Sequence, residues 1–269
     1  MICPHCKAEV DASYRYCPEC GKDLGEVIQT RKTMRTASGA AFAIGKAARQ
    51  ARLEAIYTPD EIIPTRLYNV IMLGVLLWGL LVNVLLCVFA RDLALRMNPI
   101  VLAIAYVVCA FAGIMIAGRS HNALISFLGY NLVVIPFGLV LSIMVEEYGG
   151  INSSIVTEAF FYTLLITVGM GAVTVIAPSF FEKLGGALFG CLVGMVLCEI
   201  VLLFLGVNQT ITDWIAAGIF SLYIGYDIHR SQQFAKTVDN AVDCALDIYL
   251  DVANLFIRLL EILGKKKDS

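Results

Sequence analysis

The chain has 269 residues, 59 % of them hydrophobic and 16 % charged, against roughly 25 % charged in an average soluble domain, which argues against a wholly soluble globule. A net charge of −2 offers no electrostatic case for wholesale nucleic-acid binding and leaves lipid as the expected partner surface. Of the 42 Lys, Arg, Asp and Glu residues, 18 precede Leu67, so a short polar head comes before a long apolar body.

The head, residues 1–25, carries Cys-Pro-His-Cys, ten intervening residues, then Cys-Pro-Glu-Cys-Gly. Two Cys-x-x-Cys turns present Cys3, Cys6, Cys17 and Cys20 at the spacing a tetrahedral zinc ion needs, and four thiolates close the coordination sphere to catalysis. His5 stands beside the first turn, but four cysteines already satisfy the ion. A disulfide pair is the competing assignment, disfavoured in the cytosol. The stretch resembles the short zinc-ribbon modules at the ends of many prokaryotic membrane proteins. About 25 residues cannot bury a core of their own, so zinc would supply the folding free energy. The other five cysteines, Cys87, Cys109, Cys191, Cys198 and Cys244, lie in apolar segments and are expected to act as small buried hydrophobes.

Residues 26–66 form a linker. Ala, Arg and sparse apolar residues recur there at helical spacing until Pro59 and Pro64. It is either a solvated helix or an amphipathic one lying on the anionic inner leaflet through Arg49 and Arg52, with Phe42 and Ile44 toward lipid.

Residues 67–269 contain seven apolar segments of membrane-spanning length, a hydrocarbon core of roughly 30 Å requiring about 20 residues of helix. They run Leu67 to Ala90, Ile100 to Gly118, Ala123 to Val145, Ala159 to Ala177, Gly185 to Gly206, Thr212 to Ile228 and Ala241 to Leu263. Polar breaks such as Arg91-Asp92, Glu146-Glu147 and Asn208-Gln209 separate them. Gly186, Gly190 and Gly194 make a ridge of small residues, expected to pack against another helix. No cleavable signal is read before the first segment, so that segment is expected to anchor the chain with the head cytosolic. Arg49, Arg52, Arg66, Arg119, Lys183, Arg230 and Lys236 then face inward and only Arg91 and Arg96 outward. Lys265, Lys266 and Lys267 conflict with this: a seventh full crossing sends them outside, whereas a re-entrant last segment returns them.

Carboxylates inside apolar segments are costly and are functional candidates by default. At 100° per residue, Asp243, Asp247, Asp251, Asn254, Arg258 and Glu261 share an arc of about 80° on the last segment. Such a stripe either floats at an interface or is hidden inside a bundle. The second option makes this a central helix facing a polar lumen. Asp227 follows Tyr226 near the inner end of the sixth segment. If the seventh starts at the same face, Asp251 lies on the order of 12 Å deeper.

The segments SLYIGYDIHRSQQ and ALDIYLDVANLFIRLLEILG resemble the signature of the Bax inhibitor-1, or transmembrane Bax inhibitor motif, family. That family ends in a Tyr-Asp helix and a Leu-Tyr-Leu-Asp-x-x-Asn-Leu-Phe helix, and TEAFFYTLLITV falls where its fourth span begins. The resemblance covers about 200 residues of the body. It implies an all-α polytopic membrane protein whose last helix is surrounded by the other six, and a pH-sensitive calcium leak. It carries the family's paired aspartates to Asp227 and Asp251 and its second-segment arginine to Arg119. Asp247, Asn254 and Arg258 extend the polar stripe. The sequence departs from the family in its head, in Asp247 where an apolar residue is usual, and in a second segment without an acid.

The implied mechanism needs no resident cofactor beyond structural zinc in the head. Two crowded carboxylates cannot both ionise cheaply and share a proton. Protonated, they bridge the last two helices; deprotonated, they repel, turn toward Arg119 and offer oxygens to a passing calcium ion, which prefers six to eight. An intramembrane aspartyl protease is the enzymatic rival, but Asp251 follows Ile-Tyr-Leu rather than Gly-x-Gly. A rhomboid-type site lacks a Gly-x-Ser to pair with His121 or His229. The expectation is therefore a non-enzyme. The other rival is an interaction protein that restrains a membrane-protein partner, such as a protease, through the bundle or the ribbon.

Overall fold

The computed structural model describes residues 6, 8, 17–21, 61–206 and 210–267. Cys3, His5, the linker helix with Phe42, Ile44, Arg49 and Arg52, and the Asn208-Gln209 break lie outside the described residues.

Seven long helices follow the predicted segments closely: α1 (Thr65–Phe89), α3 (Pro99–Arg119), α4 (Ala123–Glu147), α5 (Ser154–Ile176), α7 (Gly185–Leu205), α8 (Thr210–Ser231) and α9 (Val238–Lys267). Two short helices, α2 (Arg91–Arg96) and α6 (Pro178–Glu182), occupy polar breaks read as turns. Local chemistry explains the starts. Asn98 accepts from the backbone N–H groups of Ile100 and Val101 at 2.9 and 3.3 Å, with Pro99 in the first turn of α3, where a missing N–H costs nothing. Asn122 caps α4 and Ser153 caps α5 in the same way. Gly149 and Gly150, at φ of 92° and 80°, supply the left-handed backbone that turns α4 into α5.

Five of the long helices, α1, α3, α4, α5 and α7, are long and apolar enough to cross a membrane; α8 and α9, which are less apolar, are not among them. The pattern of burial is inverted relative to a soluble bundle. Leu, Ile, Val and Phe side chains are exposed along α1, α3, α5 and α7, while the most polar helix, α9, runs through the middle. It packs on α8, α1, α5 and α4; α3 lies outside on α4, and α7 outside on α8. Tyr249, Leu255 and Leu260 of α9 are fully buried together with Tyr130 and Val133 of α4.

Charged stripe and central position thus go together, as one of the two sequence alternatives holds. The helix is unbroken for 30 residues, about 45 Å at 1.5 Å each. It starts beside Ile63, at the end of the bundle that carries the cysteine turn (the proximal end), and finishes beside Tyr148 at the other (the distal end). It therefore runs the length of the bundle without a break.

Close helix approach occurs at glycines other than Gly190 and Gly194, the surroundings of Gly186 lying outside the described residues. A Cβ on Gly113 of α3 would sit 2.5 Å from the Gly129 carbonyl oxygen of α4, and one on Gly129 2.7 Å from that of Gly113, so these two backbones touch. Gly190 and Gly194 are exposed and a Cβ on either meets nothing within 4 Å, because α7 sits at the rim. The apolar-segment cysteines also divide: Cys87 and Cys244 are buried as expected, Cys109 is half-buried, and Cys191 and Cys198 are exposed on α7.

Candidate functional site

Helices α8 and α9 form an antiparallel pair joined by residues 232–237. Their register follows from Tyr68 of α1, whose hydroxyl lies 3.1 Å from the Ser231 carbonyl oxygen and 3.3 Å from Cys244 Sγ. The end of α8 is thus level with Cys244, and α9 overhangs it proximally by about six residues, or roughly 9 Å. Stepping four residues along each helix brings Asp227 level with Ile248. Asp247 is one residue to one side of that level and Asp251 three to the other, roughly 5 Å along the axis. The overhang corrects the depth expected from sequence, which assumed that both helices start at one face. Asp227 and Asp251 are 6 % and 8 % exposed, and Asp243, two turns before Asp251, is 2 % exposed. Asp247 is half-buried. Asn254 donates Nδ2 to the Leu250 carbonyl at 2.7 Å, which keeps its Oδ1 as an acceptor on the same stripe.

Arg119 stands elsewhere. Ser126 Oγ lies 3.4 Å from the Ala117 carbonyl oxygen and donates to Asp239 Oδ1 at 2.6 Å, so the end of α3 is level with the first turn of α9. Twelve residues, roughly 18 Å, separate that level from Asp251. Arg119 is exposed beside Met115, Ile116, Ser120 and Ile125, with α4 between its helix and α9. Asp227, Asp247 and Asp251 thus fall within roughly 6 Å of one another along the helix axes, and Arg119 stands at another level, because α3 packs on the bundle mainly through α4.

Distal to the aspartates the stripe ends in an ion network. Arg258 donates to Glu199 of α7 at 2.8 Å, to Asp213 of α8 at 3.1 Å and to Glu261 at 3.2 Å, and Lys265 donates to Asp213 at 2.6 Å. Two cations thus meet three carboxylates, with Asp213 only 1 % exposed. Glu199 and Asp213 stand outside the stripe that periodicity picks out. Glu199 had a legible signal, a lone acid inside an apolar segment; Asp213 did not, since it opens its helix like any acid in a first turn.

The proximal end is closed by Lys236. Its ammonium donates to the Ser231 and Gln232 carbonyls at 3.1 and 2.7 Å, capping the C-terminus of α8, and sits 4.7 Å from the centre of the Tyr68 ring. Burial of this loop lysine lowers its pKa to about 8, opposed only by the Cys244 thiol group.

In the head, Cys6, Cys17 and Cys20 bring their sulfurs within 4.8 Å of one another, with Cys6 and Cys17 Sγ 3.5 Å apart. Three soft ligands from two turns fit a thiophilic ion, and Cys3 is the fourth by sequence spacing.

A family model described as "Inhibitor of apoptosis-promoting Bax1" matches residues 62–268, and a domain of unknown function matches residues 1–25. Among relatives, an uncharacterized protein of Helicobacter pylori is 39 % identical over 85 residues, covering 30 % of this chain and 36 % of that protein. Bax inhibitor 1 of Schizosaccharomyces pombe is 33 % identical over 126 residues, 44 % of this chain and 45 % of that one. An uncharacterized membrane protein of Vibrio cholerae is 27 % identical over 112 residues, 41 % and 49 % of the two chains. The chain thus spans between about a third and a half of the length of these relatives.

Proposed function

The chain belongs to the Bax inhibitor-1 family through residues 62–268, and on that premise we propose that its last two helices form a pH-sensitive leak path for calcium across a membrane. What supports this reading is the burial of Asp227 and Asp251, with Asp247 half-buried, at neighbouring levels of the α8 and α9 pair inside a bundle whose outer faces are apolar.

Carboxylates crowded in a poorly hydrated site cannot all ionise, so they hold protons among them. With a proton between Asp227 and Asp251 the two helices are bridged and the path is shut. Loss of the proton sets the carboxylates against each other and exposes oxygens, with Asn254 Oδ1 alongside, to a cation in transit. Flux therefore rises with pH. Arg119 takes no part in this scheme, its level being roughly 18 Å from Asp251; nor does catalysis. The same proposal places seven crossings in the bilayer, the cysteine head on the cytosolic side, and one structural zinc on Cys3, Cys6, Cys17 and Cys20.

Calcium uptake into liposomes holding the purified protein, measured from pH 5 to 8, tests the path. Asp227→Asn and Asp251→Asn are each expected to shift the pH profile and to flatten it when combined. Profiles unchanged in both single variants overturn the assignment.

A second reading has its own support in the cysteine turn, where Pro18 accepts from Thr65 at the start of α1, as a docking module would be held on the bundle. In that reading the protein restrains another membrane protein. Deleting residues 1–25 separates the two: flux persists for a leak path, whereas capture of the partner fails for a docking protein.

A further inference from the structure

The cysteine turn is joined to the α8 and α9 pair by an unbroken series of contacts. Thr65, the first residue of α1, donates its hydroxyl to the Pro18 carbonyl. Gly21, whose N–H donates to the Cys17 carbonyl at 2.8 Å, has a φ of 72°, and a Cβ there would lie 2.9 Å from the Ile63 carbonyl oxygen. Only a glycine lets the turn lie this close. Ile63 in turn donates its N–H to the Lys236 carbonyl at 2.8 Å. Lys236 caps the last carbonyls of α8, and Tyr68 beneath it touches both Ser231 and Cys244. From thiolate to the level of Asp227, every step is a hydrogen bond or a van der Waals contact.

Cys17 is fully buried, but only Ala8 and Cys20 pack against it among the described residues. Such a module takes its order from the ion that its thiolates hold.

From this we infer that a thiophilic divalent cation such as zinc, bound by Cys6, Cys17, Cys20 and Cys3, acts as a clamp on the proximal end of the last two helices. With the ion present, Pro18 and Gly21 brace residues 62–65, these hold the 232–237 loop, and the α8 and α9 pair is locked below the aspartates. With the ion removed, the brace is lost and the loop opens more often. The inference rests on the metal assignment of the cysteines, and the experiment separates the two.

Purified full-length protein in detergent is assayed for zinc by elemental analysis, then for amide hydrogen exchange before and after chelation. About one zinc per chain is expected. Exchange in residues 228–244 should accelerate about fivefold to tenfold on chelation, the loss of one or two net hydrogen bonds, while residues 255–265 stay unchanged. Thr65→Val, which keeps every thiolate, should bind zinc with the same stoichiometry and exchange quickly in 228–244 with or without the ion. Failure to hold added zinc overturns the metal assignment and the clamp with it. Bound zinc with exchange in 228–244 indifferent to chelation overturns the clamp alone, and so does a Thr65→Val protein that retains the full response.

Discussion

Lys236 illustrates how one residue can report on the whole proximal end. Its charge caps α8 and stacks on Tyr68, yet burial dominates and brings its pKa down to about 8 from the usual 10.5. The folded state therefore releases this proton earlier than the unfolded chain. Between about pH 8 and 10.5 the unfolded state binds more protons, so this group's contribution to stability rises with pH across that window, by on the order of 3 kcal/mol. Below pH 8 both states are charged and the full penalty of burying the ammonium applies. Thermal unfolding in detergent should follow this sign. The midpoint of the native protein relative to Lys236→Met is expected to climb from pH 8 to 10.5, and a difference that does not vary with pH would show that the ammonium is hydrated. A lone lysine in a six-residue loop gives no hint of such burial; its neighbours Tyr68 and Ile63 are more than 160 residues away in the chain.

At the scale of elements, α7 is held in two ways. It packs on α8, and Glu199 reaches Arg258 of α9. Arg258 is 18 % exposed, and the carboxylates around it are no more than a quarter exposed. Replacing it leaves three acids facing one another around Lys265. Arg258→Leu is thus expected to cost about 3–5 kcal/mol, far more than an exposed ion pair, and to lower the unfolding midpoint with the loss of α7 first. Arg258→Lys should recover only part, since one ammonium cannot serve three carboxylates on separate helices. A Leu variant as stable as the native protein would mean that the network is solvated. The stripe itself was legible, because a helical period of 3.6 residues places Asp243 to Glu261 on one face whatever surrounds it. Its partners were not. They come from α7 and α8, and which helix stands beside α9 is a matter of packing.

For the whole molecule, the ends of the bundle are opposed. The cysteine turn lies at the proximal end and Lys265 at the distal one. Seven crossings would place them on opposite sides of the membrane, and the conflict between the basic tail and the charge bias of the earlier segments is eased because Lys265 is engaged by Asp213. Labelling of Ser269→Cys and of an N-terminal epitope in oriented vesicles should give opposite accessibilities; labelling from one side would require an even number of crossings.

Hydropathy determined where the helices begin and end, and periodicity determined that the last one is striped with charge, because both are properties of neighbouring residues along one chain. The Cys-x-x-Cys pairs likewise announce a thiolate cluster by spacing alone. Tertiary structure decided the rest. The offset of α9 against α8 sets Asp251 roughly 5 Å from the level of Asp227 instead of about 12 Å, α4 stands between Arg119 and α9, and the approach of backbones chooses Gly113 and Gly129 over Gly190 and Gly194. Each depends on how far one helix slides or turns against another. That is settled by loop anchoring and side-chain fit between residues distant in sequence, which no local pattern encodes.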